Sequence, residues 1–188
     1  MSANLVSTDL YGGAIKIDLP PGFMDVSMLR EIPDNQEVYV NSRTEQEIKD
    51  NKYCDGLGSQ ESIIIDLLQR VKADSDFEAL KIHLNEISEI NQTVGGYEII
   101  KTDEIESNTD DKCKAFSAII RETSLKWGKK SEAHLLNICV GIIRLSAYDT
   151  DVLISINVPE LQYTDSAYDI LTNKIIKSFQ LVDPSLFA

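Results

Sequence analysis

Carboxylates held in a stiff loop are the residues of this sequence best suited to recognition chemistry. Residues 20–38 (PPGFMDVSMLREIPDNQEV) contain four acidic residues, one arginine and three prolines. Because proline fixes φ, such a loop loses little conformational entropy when it is ordered against a partner. Asp25, Asp34 and Glu37 could therefore form an acidic binding surface. The alternative role is local, since Asp25 before Ser27 can close a turn and an aspartate after a proline, as at Asp34, is typical of a β-turn.

Few other residues are arranged for catalysis or metal binding. His83 and His134 lie far apart without an acid or cysteine at metal-ligand spacing, so we expect a helix-rim residue and a surface residue. Cys54 lacks a partner base, and the glycine-containing segments match neither a nucleophile elbow nor a phosphate loop. Trp127 could be an exposed recognition aromatic or, more often, a side chain that closes the core edge. We therefore expect no enzyme activity, no metal and no cofactor.

Charge and cysteine content restrict the classes of partner. The 188 residues include 18 Lys and Arg against 31 Asp and Glu, a net charge of −13 that repels nucleic acids and anionic membranes and favours basic partners. The plain alternative is that the surplus acid keeps a small protein soluble. The three cysteines, one of them Cys113, include no C-x-x-C pair, which suits reduced thiols. With no basic leader and no long apolar run, we expect a soluble intracellular protein.

The acidic loop is predicted to lie between two strands. Residues 10–19 alternate in polarity and predict a strand with a bulge or sharp bend at its two glycines. A second alternation over residues 37–40 places Glu37 and Tyr39 away from the core, so that Glu37 points to solvent. Residues 41–59 are polar and predict a surface excursion without a chemical role.

The remaining segments predict an α+β fold with a mainly antiparallel β-sheet sandwiched between α-helices. Apolar spacing and caps at Ser59, Ser75 and Thr164 predict three helices, and alternation with short connections predicts four further strands. The predicted helices are 61–71, 76–91 and 165–179, and the predicted strands are 97–105, 114–125, 135–147 and 151–158. The length suits one buried core, so we expect a single domain over residues 1–188 with a short flexible N-terminus at about residues 1–8.

Four segments resemble the Ran guanine nucleotide release factor family, the Mog-type nuclear import factors. They are LYGGAI at 10–15, PPGFMDVSMLREIPDNQEVYV at 20–40, GIIRLSAYDTDVLISINVP at 141–159 and VDPSLFA at 182–188. The resemblance therefore brackets nearly the whole chain, and its PDNQEV element is the most specific part. The segments 41–60 and 72–133 match little, so no function is carried over to them.

The resemblance implies a PsbP-like fold and a protein that binds the small GTPase Ran, promotes guanine nucleotide release, stabilises the nucleotide-free form and supports nuclear import. The family's acidic contacts match Asp34 and Glu37, Asp25 matches a third acidic position, and Gln36 matches by position alone. The acids could displace lysines that support the nucleotide directly, or bind nearby and distort the site. We expect a monomer in the nucleus with a cytoplasmic pool. The alternative is a PsbP-like adaptor or small-ligand module without nucleotide-release activity.

Overall fold

The computed structural model describes residues 4–91, 93, 95–106, 115–125 and 133–188. Cys113 and Trp127, for which the sequence predicts a reduced thiol and a core-edge or recognition aromatic, lie outside these residues. So do residues 1–3 of the predicted flexible N-terminus. Within the described chain, most residues belong to antiparallel strands or to helices that pack on them.

The strands are β1 (Val6–Leu10), β2 (Ile15–Leu19), β3 (Phe23–Asp25), β4 (Gln36–Asn41), β5 (Ser62–Gln69), β6 (Tyr97–Ile105), β7 (Ala115–Leu125), β8 (Ala133–Leu145), β9 (Thr150–Val158) and β10 (Gln180–Leu181). The helices are α1 (Glu45–Lys49), α2 (Asp76–Ile90), α3 (Thr164–Ile170) and α4 (Ile176–Ser178), with a π-helical turn, Leu171–Ile175, between α3 and α4. We call residues 164–178 the C-terminal helical segment.

The main sheet has seven antiparallel strands in the order β3-β4-β5-β9-β8-β7-β6. A smaller antiparallel sheet has the order β1-β2-β10. In β9, the consecutive residues Val152, Leu153 and Ile154 are all fully buried. Because neighbouring side chains of a strand point to opposite faces, the sheet must be covered on both sides.

Helices provide these two covers, which confirms the predicted sandwich. On one face, Leu80 and Leu84 of α2 pack in a cluster with Val140 and Leu153. On the other face, Leu171 of the C-terminal helical segment packs in a larger cluster with strand residues of both sheets. Ser75 accepts a hydrogen bond from the Glu78 N–H and caps α2 as predicted.

The predicted helix over residues 61–71 is wrong, because this segment is strand β5. It pairs with β4 on one side and with β9 on the other. Apolar side chains face both layers of the sandwich, so their spacing loses the alternation of a strand with one buried face and also fits a helix. The β-branched run Ile63–Ile65 is the local signal that favours the strand.

The predicted single bent strand over residues 10–19 is a hairpin. Tyr11–Gly13 forms a short 3₁₀ turn, and β1 and β2 pair from Leu10 and Ile15 to Val6 and Leu19. Residues 6–8, for which a flexible N-terminus is predicted, are therefore strand residues. The two glycines have positive φ and let the chain reverse between β1 and β2.

His83 is buried in α2 and does not lie on its rim as predicted; it is only 2% exposed. Its Nε2 lies 2.9 Å from Oδ2 of Asp151, whose other oxygen accepts a hydrogen bond of 3.0 Å from Arg144. Burial alone would raise the pKa of Asp151, but hydrogen bonds from His83, the Val71 N–H and Arg144 lower it. This network joins α2 to the main sheet.

Replacing the central carboxylate of this network should destabilise the protein. Asp151→Asn should lower the free energy of unfolding by about 3 kcal/mol at neutral pH, because Arg144 then loses its buried partner. Since the folded-state pKa lies below the ordinary 3.8, the stabilisation is complete above that pH and is lost as the pH falls through the folded-state pKa. Urea unfolding of the wild type and the variant, from neutral pH to below pH 3.8, measures both effects.

The exposed Asp74, which makes no hydrogen bond or ion pair within the described residues, provides the control. Asp74→Asn should change the free energy of unfolding by less than about 0.5 kcal/mol at any of these pH values. Equal losses in the two variants would contradict a special role for the network.

Candidate partner-binding site

The acidic loop, residues 20–38, includes β3, the first residues of β4 and the connection that closes their hairpin. At its start, Asp25 Oδ1 accepts a hydrogen bond of 2.8 Å from the Ser27 N–H, and the Leu29 N–H donates to the Val26 carbonyl at 2.8 Å. Val26 is buried and attaches this short 3₁₀ turn to the core. The local turn role considered for Asp25 is therefore observed, and it occupies one of the two carboxylate oxygens.

At the end of the loop, a turn presents Asp34. The Gln36 N–H donates to the Pro33 carbonyl at 2.9 Å, and the Asn35 carbonyl accepts from the Leu67 N–H at 2.8 Å. The backbone on the C-terminal side of Asp34 is thus bound to β5. The side chain of Asp34 is exposed and makes no hydrogen bond to any described residue. This geometry combines an ordered backbone with an unpaired carboxylate.

Glu37 is half-buried, so the prediction that it simply points to solvent is incomplete. Its Oε1 accepts a hydrogen bond of 2.7 Å from the backbone N–H of Tyr11. Tyr11 has a φ of 50°, a conformation that is uncommon for a residue with a Cβ. The Tyr11 hydroxyl donates to the Ile65 carbonyl at 2.9 Å. Tyr11 therefore connects the small sheet to the main sheet and orients the Glu37 carboxylate.

Tyr39 is buried, which corrects its predicted position on an exposed face. Its side chain is 7% exposed and belongs to the larger core cluster together with Ile63 and Ile65. Asp25 is its direct partner across the β3–β4 ladder, so both side chains lie on one face, and Glu37 lies two residues along on the same face. Burial raises the pKa of the Tyr39 phenol, and the nearby Glu37 and Asp25 carboxylates raise it further.

Gln36 lies on the opposite face of β4 from Glu37. Its Nε2 donates a hydrogen bond of 2.7 Å to Oδ1 of Asp66, the residue directly opposite on β5. Burial raises the pKa of Asp66, and the bond from Gln36 lowers it by less. The structure therefore brings Asp25 and Glu37 to one face and separates Gln36 from both. Asp66 was not among the predicted site residues, because the apolar spacing of residues 61–71 predicts a helix instead of strand β5.

Residues 41–59 support the acidic loop, although the sequence predicts only a surface excursion there. Arg43 is buried and donates to both oxygens of Asp55, at 2.8 and 2.5 Å, and to the Pro21 carbonyl. Its guanidinium also lies 4.2 Å from the ring centroid of Tyr53. These contacts fix the base of β3, where the prolines precede the loop. Proline alone therefore does not order this region.

The acidic side chains of the site have no basic partner among the described residues. Within the described residues, no lysine or arginine forms an ion pair with Asp25, Asp34 or Glu37. Two apolar side chains of the same loop, Met28 and Leu29, are 80% and 69% exposed. The arrangement can offer carboxylates and apolar area to a basic macromolecular surface.

The described part of the chain contains neither a candidate metal cluster nor a helix that could span a membrane. Among those residues there is no group of three or more histidine, cysteine, aspartate or glutamate side chains placed to hold a metal ion. None of the described helices is long and apolar enough to cross a membrane.

Replacing Glu37 and replacing Asp34 should have different effects on the free energy of unfolding. Glu37→Ala should lower the free energy of unfolding by about 1.5 kcal/mol, because the Tyr11 N–H loses a charged acceptor. Asp34→Ala should change it by less than about 0.5 kcal/mol, since its side chain is exposed and unbonded. Chemical denaturation of the two variants and the wild type tests this, and equal stabilities would contradict the structural role of Glu37.

Comparison with known proteins identifies relatives that align with most of this chain. The family model described as Ran-interacting Mog1 protein matches residues 8–159, which include the entire acidic loop. Nuclear import protein MOG1 of Saccharomyces cerevisiae is 41% identical over 199 aligned positions, covering 100% of this chain and 87% of that protein. A Ran guanine nucleotide release factor of Danio rerio is 28% identical, covering 82% of this chain and 78% of the relative.

Solved structures show the same fold. The crystal structure of the Saccharomyces cerevisiae Ran-binding protein Mog1p superposes with a TM-score of 0.84 at 40% identity, with 100% of both chains covered. Cyanobacterial PsbP from Synechocystis has a TM-score of 0.59 at 10% identity, covering 96% of this chain and 94% of the other, which shows likeness of fold alone. From the family match and the relative with 41% identity, this chain belongs to the Ran-interacting Mog1 protein family.

Proposed function

We propose that this protein binds the small GTPase Ran, promotes release of its guanine nucleotide and stabilises the nucleotide-free form, thereby supporting nuclear protein import. Relatives are named nuclear import protein and Ran guanine nucleotide release factor, and a solved relative with the same fold is named a Ran-binding protein. The proposed contact surface consists of Asp25, Asp34, Gln36 and Glu37.

The observation that carries the proposal is the ordered presentation of unpaired carboxylates. The loop backbone is hydrogen-bonded at both ends, the Asp34 side chain has no hydrogen-bond partner among the described residues, and Glu37 is oriented by Tyr11. Such preorganisation reduces the entropy lost when a partner binds. The net charge of −13 further favours approach of a basic surface.

The exposed apolar side chains of Met28 and Leu29 suit the same interface. Stable interfaces usually combine a desolvated apolar centre with a charged or polar rim. Both residues lie in the loop that carries Asp25 and Asp34, so one partner surface can cover all four. Gln36 lies on the other face of β4, and we assign it a supporting contact at the end of the hairpin.

Nucleotide release requires differential binding and no covalent chemistry. A factor that binds nucleotide-free Ran more tightly than loaded Ran lowers nucleotide affinity, and by linkage free nucleotide must weaken the factor's own binding by the same ratio. We therefore propose a non-enzymatic mechanism in which the carboxylates compete for basic groups that otherwise support the nucleotide site.

The cellular setting follows from the same proposal. We propose a single domain over residues 1–188 that acts as a monomer, in the nucleus with a cytoplasmic pool. The strongly acidic surface disfavours nucleic acid as a partner.

A nucleotide-release assay tests the function directly. With Ran preloaded with a fluorescent guanine nucleotide, the wild-type protein should accelerate loss of the signal, and excess free nucleotide should displace it from Ran. Asp34→Lys should lose both effects, because a reversed charge opposite a basic cluster costs several kcal/mol of binding.

Glu89→Lys is the matched control, since it makes the same charge change at an exposed position on α2 and should retain activity. If the wild-type protein binds loaded and empty Ran equally and leaves the release rate unchanged, the adaptor alternative replaces the release factor.

Salt dependence tests the electrostatic part of the proposal. Raising ionic strength should slow association with nucleotide-free Ran more than it accelerates dissociation, because salt screens long-range attraction before it affects short contacts. Stopped-flow measurements over a salt series give both rate constants. Association rates that do not vary with salt would exclude an electrostatically led interface.

A further inference from the structure

Gln36 and Asp66 form a side-chain pair at the start of β4, on the face of the main sheet opposite to Glu37. They are direct partners across the β4–β5 ladder, and Nε2 of Gln36 donates to Oδ1 of Asp66 at 2.7 Å. Directly opposed residues of antiparallel strands have Cβ atoms about 5 Å apart, so this bond is a regular cross-strand contact. Gln36 belongs to the predicted site, whereas Asp66 does not.

The backbone that carries Gln36 is held in place by its neighbours. The Gln36 N–H donates to the Pro33 carbonyl at 2.9 Å, and the Leu67 N–H donates to the Asn35 carbonyl at 2.8 Å. The Asn35 side chain adds a bond of 3.2 Å from Nδ2 to the Leu67 carbonyl. The direction in which the Gln36 side chain leaves the backbone is therefore set by the fold. The freedom that remains is rotation of the side chain, including reversal of its terminal amide.

Asp66 selects one orientation of that amide. A terminal amide has an oxygen that accepts hydrogen bonds and a nitrogen that donates them, and reversal exchanges the two in nearly the same shape. An ionised carboxylate can only accept, so the bond forms only with Nε2 of Gln36 toward Asp66. Oε1 of Gln36 then makes no hydrogen bond within the described residues. It is not among the buried polar atoms without a partner, so it reaches solvent.

The exposed amide oxygen has the same hydrogen-bonding character as the rest of the proposed surface. Asp34 and Glu37, which flank Gln36 closely in the sequence, present carboxylate oxygens, and these also accept hydrogen bonds. A reversed amide would instead place N–H donors among these acceptors. With Asp66 opposite Gln36, a partner surface rich in donors meets an acceptor at this position as well.

We propose that Asp66 is a positioning residue of the Ran-binding surface, which fixes the Gln36 amide so that Oε1 accepts a hydrogen bond from the partner. This inference rests on the proposed function, because the donor belongs to Ran. It deepens that function by naming the contact atom of Gln36 and by giving a role to a residue of another strand that acts through it. An amide that is already oriented loses less conformational entropy on binding than a free one.

Gln36→Lys separates the contact with the partner from the bond within the fold. The new ammonium can still donate to Asp66, so the thermal midpoint should be no lower than that of the wild type. Lysine has no acceptor, so nucleotide-free Ran should bind about tenfold more weakly. Gln69→Lys is the matched control, because it makes the same substitution at the exposed end of β5. The control should stay within about threefold of the wild-type affinity, the effect of a single added charge outside the contact.

Exchanging the two side-chain groups tests whether Asp66 acts through Gln36. Gln36→Glu alone places two carboxylates opposite each other and should weaken binding about fivefold. Asp66→Asn alone permits both amide orientations and should weaken it about threefold. In the double variant, the new amide at position 66 donates to the new carboxylate at position 36, whose other oxygen faces the partner. This variant has the wild-type net charge and should regain affinity to within about twofold of the wild type.

Titration calorimetry and thermal unfolding at mildly alkaline pH, which keeps carboxylates ionised, measure affinity and folding for every variant. If Gln36→Lys and Gln69→Lys weaken binding equally, Gln36 makes no contact and the inference is overturned. If the double variant binds as weakly as Asp66→Asn, Asp66 does not act through Gln36 and the inference is also overturned. In both cases the proposed function stands if the wild type binds Ran and Asp34→Lys abolishes binding. If the wild-type protein does not bind Ran, the proposed function fails, and the positioning role of Asp66 fails with it.

Discussion

Burial of the central strands on both faces is the constraint on which the rest of the structure depends. β9 is apolar on both sides, so α2 and the C-terminal helical segment must each cover one face. Charged side chains that enter the interior need partners there, as Asp151 has in His83 and Arg144. The candidate site lies at the end of an outer hairpin, where carboxylates retain contact with water.

Tyr11, at the turn of the small sheet, and Arg43 order this end of the hairpin. The Tyr11 N–H holds the carboxylate of Glu37, and Arg43 holds the backbone before β3 through the Pro21 carbonyl. Both contacts come from segments outside the acidic loop itself. Their consequence is that the orientation of the site is largely established in the folded protein, and less freedom remains to be lost on association.

The two faces of β4 separate the polar residues that lie next to each other in sequence. Glu37 shares a face with Asp25 and Tyr39, whereas Gln36 is bonded to Asp66 on the opposite face. In the proposed complex, long-range attraction by the acidic surface governs the association rate, and short-range contacts at the interface govern the lifetime.

Local sequence determined the elements whose signals are local: the cap at Ser75 and the apolar spacing of α2, the alternation of β6, and the turn after Pro33. The sequence also placed three acids in one loop. Tertiary structure decided the identity of β5, because a strand covered on both faces loses its alternation and acquires spacing that also suits a helix. Tertiary structure likewise determined the contacts of Tyr11 with Glu37 and Ile65 and the burial of Tyr39. The residues that surround these two tyrosines are distant in the chain, so a local sequence pattern cannot predict them.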